Sequence, residues 1–232
     1  MQKGTNMLRR IAALAAIVAA ISLANSAAAA DIAITEWMYS PQGGPGEYFE
    51  LTNVDNVPVD MTGWSQDDNN RSPGVHSLSA FGILQPGESA IGTETDPASF
   101  RTYWGLSASV KVIGYGSADN IGRSDEINLY DSVNALVDRL TYNDQVIGGP
   151  RTQGVSANIA LTNLFQNRAD LAVASTSGDS YLSYAGGGGS GDVGNPGIYT
   201  PYVSASVPEP ASIAILMLSA IGAFGFASRR RS

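Results

Sequence analysis

The sequence predicts an all-β domain over residues 31–200, between two apolar ends that serve export. Glycine and proline are abundant, with 26 and 11 residues in a chain of 232, which is typical of a turn-rich protein. Lysine occurs only at positions 3 and 111, too rarely for long charged surface helices. Short apolar or alternating runs recur every 10 to 15 residues or so, separated by Gly, Pro, Asn and Asp, and this spacing favours a sandwich or barrel.

The predicted strands follow these runs. They cover residues 32–37, 48–53, 89–92, 110–114, 126–130, 136–142, 158–162 and 181–184, with helical turns predicted only at 99–105 and 161–166. Alternation places Phe49 and Leu51 on one face of the second strand and Glu50 on the other. Asp138 alternates in step with Leu136 and Leu140, so on a regular strand its side chain would face the core. This predicts a bulge there or a carboxylate bonded to loop amides. Trp64 is the best candidate for a large core residue.

The N-terminal end, residues 1–30, has the three parts of a secretory signal peptide. A basic stretch precedes an apolar run over 11–24, and a tail of small residues follows. Ala28 and Ala30 fit the small-x-small rule, which predicts cleavage by signal peptidase before Asp31. The apolar run reaches only about 21 Å, short of the roughly 30 Å of a hydrocarbon core, which favours a cleaved signal over an uncleaved anchor.

The C-terminal end combines a stalk (201–210), an apolar run (211–228) and a basic tail (229–232). Eighteen apolar residues reach about 27 Å, enough for one transmembrane helix, and the arginines hold the tail in the cytoplasm. The prolines keep the segment before the membrane extended, where an enzyme could bind it. The residues of this predicted sorting signal are Val207, Pro208, Glu209, Pro210, Arg229, Arg230 and Arg231.

This tail resembles the PEP-CTERM sorting signal of Gram-negative bacteria. The resemblance implies processing by an exosortase, a membrane-embedded cysteine protease that cuts near the motif. The protein would be anchored transiently in the inner membrane and then reach the cell envelope, the surface or the extracellular matrix. A plain tail anchor is the alternative.

The middle of the chain resembles the lamin tail domain, which implies an immunoglobulin-like β-sandwich. The landmarks are segments 34–37, 47–53, 59–64, 84–88, 127–131 and 136–142, which place the core of the domain at 31–144. The Gly-Asp-Val-Gly-Asn-Pro-Gly run at 191–197 resembles the motif that closes bacterial members, so the domain is expected to extend through 145–200. That stretch departs from the family because it contains no Trp.

Composition excludes several kinds of chemistry. The chain has no cysteine and a single histidine, His76, so thiolate nucleophiles and histidine-rich metal sites are ruled out. Residues 31–207 hold 20 of the 21 acidic residues against seven basic ones, and such a surface repels nucleic acid. His76 among scattered serines, without a nucleophile elbow, is one basis for the alternative of a small secreted hydrolase. A paired-carboxylate glycosidase is another, although no spacing selects a pair of acids.

Acidic loops suggest a calcium site as an alternative to simple solvated turns. The candidate ligands are Asp67, Asp68, Asp119 and Asp125, because calcium prefers carboxylate and amide oxygens. None of these clusters matches an EF-hand loop, and Asp and Asn also occur in turns for backbone reasons. No other cofactor is expected.

Aromatic residues exceed what the sandwich must bury and suggest a platform for extracellular polysaccharide. They are Trp37, Tyr39, Tyr103, Trp104, Tyr115, Tyr181, Tyr184, Tyr199 and Tyr202. Ordinary packing between loops and sheet is the alternative, and another surface protein paired to an edge strand is a second kind of partner. The sequence therefore predicts an exported, non-catalytic binding or structural module, with a calcium-dependent adhesin as the alternative.

Overall fold

Residues 32–117 and 120–203 are described by the computed structural model, and they belong to one unit that begins at Ile32. The main strands are β1 Ile32–Met38, β2 Tyr48–Asn53, β3 Val59–Asp60, β4 Ser65–Asp67, β5 His76–Ser77, β6 Ile83–Leu84, β7 Ser89–Thr93, β8 Lys111–Gly114, β9 Ser124–Tyr130 and β10 Leu136–Asn143. Four short strands follow: β11 Ala157–Asn158, β12 Val173–Ala174, β13 Tyr184–Ala185 and β14 Val193–Gly194. The helices are α1 Pro97–Trp104, α2 Gly186–Gly189 and α3 Thr200–Val203, with 3₁₀ turns at Ser79–Phe81, Leu161–Asn163 and Ala169–Leu171.

The larger sheet has six strands in the order β12-β11-β1-β2-β7-β8. Its pairs are antiparallel except β7 and β8, which are parallel and are connected through α1. Asp96 begins this helix by accepting a hydrogen bond from the Ser99 amide, and Pro97 occupies the first turn, where proline needs no partner for a missing N–H. Gly105 ends the helix at a φ of +64°, a conformation that glycine adopts without strain.

The smaller sheet has four strands in the order β10-β9-β4-β5 and faces the larger one. The core between the sheets contains Ile34 and Leu51 from the larger sheet and Ile127 and Leu140 from the smaller, all 3% exposed or less. At one end of this core the rings of Trp37 and Tyr142 lie 5.6 Å apart. The two sheets thus form the β-sandwich that the alternating pattern predicts.

A β-bulge in β1 decides which side chains face this core. The pairing of β1 with β2 shifts between Ile34 and Glu36, so Thr35 and Glu36 both point to the outer face of the larger sheet. Strict alternation from Ile34 would have placed Glu36 between the sheets. The bulge instead brings Glu36 opposite Glu50 on β2.

The outer face of the larger sheet is covered as well, which the alternating pattern does not predict. Helix α1 contributes Phe100 and Trp104 to a buried cluster with Met38, Tyr48 and Ile91. Residues 191–199, called the closing segment below, cover the rest of β1 and β2. Every residue of both strands is consequently buried.

Most sequence predictions for the sandwich agree with this architecture. The described residues are mostly β-strand with few helices, as an immunoglobulin-like sandwich requires, and the predicted strand at 48–53 has the observed bounds. The strand predicted at 158–162 is wrong beyond Asn158, because the chain turns into the 3₁₀ helix Leu161–Asn163. The strand predicted at 181–184 is limited to Tyr184 and Ala185, since Leu182 lies in a turn with a φ of +64°.

The predictions for the two ends of the chain concern residues that lie largely outside the described part of the structure. These include the signal peptide with Ala28, Ala30 and Asp31, the predicted helix at 211–228, and the sorting residues from Val207 to Arg231. Within 32–117 and 120–203, no helix has both the length and the apolar character needed to cross a bilayer.

Candidate functional site

Three of the acidic residues predicted to bind calcium lie at strand ends: Asp67 is the last residue of β4, Asp68 follows it, and Asp125 is the second residue of β9. Asp67 accepts a hydrogen bond from the amide of Ser72, and Asp68 accepts two from Asn70, at 2.9 and 3.0 Å. Asp125 accepts from the amides of Gly122 and Glu126, at 2.7 and 2.9 Å. These contacts hold the backbone next to the two strands. All three side chains are 9% exposed or less, so they are not the solvated turn residues of the alternative prediction.

Asp68 and Asp125 are brought close enough to interact. Burial, followed by the negative charge of Asp68, raises the pKa of Asp125 above its ordinary value. In the part of the chain that the structure describes, no three His, Cys, Asp or Glu side chains are placed to hold a metal ion together. Asp119 lies outside that part, so calcium binding stays a prediction.

A groove of about 250 Å³ opens beside Asp125, at the junction of β9 and β10. Asn69, Ser124 and Asn143 provide polar groups along it, and Val146 and Ile147 provide apolar ones. Tyr142 also lines the groove and is 4% exposed. The groove is therefore a mixed surface of amides, a carboxylate and aliphatic side chains.

Tyr142, which lines this groove, contacts two other aromatic residues, and each of the three has a buried polar atom. The indole Nε1 of Trp37 and the hydroxyls of Tyr39 and Tyr142 have no hydrogen-bond partner among the described residues. Their rings are in contact, with Tyr39 stacked on Tyr142 at a centroid distance of 6.4 Å. Buried polar atoms are normally hydrogen-bonded, so an unpartnered group of this kind needs an explanation.

The most enclosed acidic site is a pair of glutamates under the closing segment. Glu36 and Glu50 are opposite each other on β1 and β2 and are both 0% exposed. Burial raises the pKa of both carboxyls, and the proximity of Glu36 raises that of Glu50 further. Two carboxylates side by side in a dry site resist ionising together, so we expect the pair to retain a proton at neutral pH.

The closing segment reaches both glutamates through its backbone. The Asn195 amide donates to Glu36 Oε1 at 2.8 Å, and the Gly197 amide donates to Glu50 Oε2 at 2.7 Å. Tyr48 and Ser156 donate their hydroxyl groups to the same oxygen of Glu36, and Thr35 donates to Glu50. The pair is thus a structural clamp that holds the end of the domain on the sheet.

This clamp was missed from the sequence. Alternation correctly separates Glu50 from Phe49 and Leu51, but it implies a solvent-facing side chain, whereas Glu50 is fully buried. The cover comes from residues about 150 positions away in the chain, beyond the reach of any local pattern. The Gly-x-x-Gly-Asn-Pro-Gly run was the only available signal, and it indicated a closing turn without its partner.

Two further buried carboxyls have structural hydrogen bonds. Glu47 accepts from the amide of Ile121 and from the hydroxyl of Tyr115, and burial raises its pKa to about 8. Asp138 lies at a bulge in β10 and accepts from the amides of Ile34 and Arg139, at 2.9 and 2.8 Å, while burial raises its pKa to about 6. The predicted bulge at Asp138 is confirmed. The amides that bond its carboxylate belong to strands β1 and β10 and not to loops, because Asp138 points inward to the neighbouring strand.

Half of the predicted sugar-platform aromatics with described side chains are buried in the structure. Trp37, Trp104, Tyr181 and Tyr199 are buried, and they pack as the alternative reading foresaw. The ring of His76 lies against Tyr115 at a centroid distance of 5.4 Å. Among the predicted aromatics with described side chains, only Tyr39, Tyr103, Tyr115 and Tyr184 are partly exposed.

Comparison with known families bears directly on this sandwich. The family model described as Lamin Tail Domain matches residues 25–144, just over half of the chain. The chain belongs to the lamin tail domain family. No curated protein and no solved structure matches it.

The matched part of the lamin tail domain contains β1 to β10, and therefore both glutamates of the clamp. The closing segment that caps them lies beyond the matched residues. A second model, described as a PEP-CTERM protein-sorting motif, matches residues 206–231. This motif implies recognition by an exosortase and export to the cell envelope or surface.

Proposed function

We propose that this protein is an exported, non-catalytic surface or matrix module. Its lamin tail domain forms a rigid unit after export, and an exosortase releases the protein from its C-terminal anchor. The sorting match at 206–231 is the observation that carries the cellular part of this proposal. It adjoins a domain whose described residues end at Val203. A cut near Pro208 would therefore leave the closing segment and its clamp intact.

The non-catalytic part of the proposal is supported by how the acidic groups are used. The buried carboxyls of Glu36, Glu47, Glu50 and Asp138 each accept backbone amides from a distant or neighbouring segment. A general acid or base needs access to a substrate proton, and such access is denied to groups that are 0 to 6% exposed. These carboxyls serve to connect segments of the sandwich.

Processing is tested in the producing organism. We expect mass spectrometry of the mature protein to show loss of residues 208–232 in wild-type cells and their retention after deletion of the exosortase. A Pro208→Ala, Glu209→Ala, Pro210→Ala variant should retain the tail in wild-type cells. An unprocessed tail in wild-type cells would refute the proposal.

The absence of catalysis is tested by screening hydrolase substrates with the purified protein. His76→Ala serves as the matched control, because His76 is the one side chain that suggested a hydrolase. We expect no turnover by either protein. Turnover that disappears in His76→Ala would establish the hydrolase alternative.

A further inference from the structure

We propose that the outer face of β10 binds a neutral polysaccharide chain, with one sugar ring in each of two neighbouring grooves. This inference rests on the proposed function as a binding module and names the ligand class and the site. Strand β10 points Asp138, Leu140 and Tyr142 inward and Arg139, Thr141 and Asn143 outward. One groove adjoins Arg139 and the other adjoins Thr141.

The first groove, of about 270 Å³, is formed by the start of β10 and by Phe165 and Asn167. Phe165 is 43% exposed and has a φ of +61°. A bulky side chain in the left-handed region is unusual, and such outliers cluster at binding sites. The exposed ring is an apolar plate of the kind that packs against the C–H face of a sugar.

Polar groups surround this plate. Asp138 and Arg139 line the same groove, and Asn167 lines it while bonding to the backbone and hydroxyl of Thr141. Asn167 itself has a φ of +50°, so two residues in a span of three adopt a left-handed conformation. The loop holds an aromatic ring and an amide beside the strand in a fixed arrangement.

The second groove, of about 250 Å³, is the one beside Asp125. It offers the carboxylate of Asp125, the exposed side chain of Asn69 and the amide of Asn143, together with the aliphatic side chains of Val146 and Ile147. Tyr142, whose buried hydroxyl has no partner among the described residues, forms part of its wall. Hydroxyl groups of a sugar match the exposed members of this set, because each can donate to a carboxylate and accept from an amide.

The two grooves are placed for one extended ligand. Arg139 and Thr141 are two residues apart on the same face, which corresponds to about 7 Å along the strand. Each groove is smaller than the roughly 300 Å³ at which pockets for drug-sized ligands begin, and so suits a single ring. A linear chain along β10 would occupy both.

Charge at the face favours a neutral chain. Asp125 and Glu126 line the second groove and Asp138 lines the first. Arg139 is directed to Asn128 and lies 3.7 Å from Glu126, so its charge is already compensated. An acidic sugar would meet carboxylates without a free cation.

Calorimetry with the full-length protein in detergent tests the site. The probes are a neutral β-glucan, a neutral galactomannan and polygalacturonate. We expect binding to at least one neutral polymer and none to polygalacturonate. Equal binding of polygalacturonate, or no binding of either neutral polymer, would overturn the proposal.

Two glycine substitutions separate binding from folding. Phe165→Gly removes the ring, and glycine adopts the positive φ of this position without strain. The unfolding temperature should therefore be retained. The affinity should fall about ten-fold, as expected for loss of one buried aromatic contact. Leu182→Gly is the matched control, because Leu182 is 59% exposed at a φ of +64° and lines neither groove. Equal affinities for the two variants would refute the first groove.

Asn69→Ala tests the second groove in the same way, with a several-fold loss of affinity expected and an unchanged affinity counting against it. Failure of this site and failure of the proposed function can be distinguished. A protein that loses residues 208–232 in the cell but binds no neutral polymer would overturn the site alone. Retention of the tail in wild-type cells would overturn the proposed processing whatever the protein binds.

Discussion

At the scale of single residues, the buried acids connect segments that are far apart in the sequence. Glu36 collects three hydrogen bonds on one oxygen, from Tyr48, Ser156 and Asn195. The burial of these acids could not be predicted from the sequence. A polar residue that alternates with apolar ones in a strand is ordinarily expected to face solvent. By contrast, the bulge at Asp138 could be predicted. A charged residue at a position that alternation assigns to the core can be accommodated in only a few ways, and a bulge is one of them.

Two substitutions of Glu36 separate the stabilising effect of its hydrogen-bond acceptor from the effect of its charge. Glu36→Ala leaves three buried donors without an acceptor, and we expect it to lower the free energy of unfolding by about 3 kcal/mol or more. Glu36→Gln retains an acceptor oxygen and should cost less than half as much. Chemical denaturation of the two variants and the wild type measures this difference. Equal losses would show that the charge, rather than the acceptor, matters.

At the scale of elements, alternation predicted where the strands lie. It did not predict which faces of the strands other elements would cover. The runs at 48–53 and 126–130 have the pattern of half-buried strands, and each forms a strand, but all of these residues are buried. The bulge in β1 and the covering of its outer face depend on the closing segment and on α1, which are remote in sequence. Short elements after residue 145 were the least predictable, since two-residue strands contain too little pattern to detect.

The closing segment approaches the sheet so closely that Gly194 has no room for a side chain. A β-carbon there would lie 2.5 Å from the hydroxyl of Tyr48 and 2.9 Å from Glu36 Oε1. We expect Gly194→Ala to lower the free energy of unfolding by about 2 kcal/mol, a typical cost of overpacking.

Gly43→Ala is the matched control for this substitution, because its β-carbon would make an ordinary contact at 3.4 Å with Tyr103. We expect it to change stability little. Thermal unfolding compares the two variants, and a Gly194→Ala protein as stable as Gly43→Ala would contradict the close docking of the closing segment.

At the scale of the whole molecule, the buried acids predict a stability maximum in mildly acidic solution. The pKa of Glu47 is about 8 and that of Asp138 about 6, both raised by burial. Such groups bind more protons in the folded state, so stability falls as the pH rises from about 4.5 through these values. Glu126 acts oppositely: its hydrogen bond from Arg71 lowers its pKa to about 2, so that stability is lost as the pH falls from about 4.5 towards 2.

The expected maximum therefore lies between about pH 4 and pH 5. Scanning calorimetry across pH 3 to 9 measures it. Glu47→Gln should flatten the decline between neutral pH and pH 8, because the titrating group is gone. A maximum at pH 7 or above would contradict this assignment of the buried acids.

The distance along the chain between the glutamate pair and its backbone donors sets the order of events during secretion. In the proposed export, with cleavage of the predicted signal peptide, Glu36 would be among the first residues of the mature protein to emerge, yet the amide it needs belongs to a residue 159 positions later. A chain threaded from its N-terminus cannot complete the sandwich until nearly all of it has crossed. The hydrogen bonds of the closing segment can then form only when the sorting tail has reached the membrane. The domain therefore stays unfolded during its passage through the channel and becomes rigid outside.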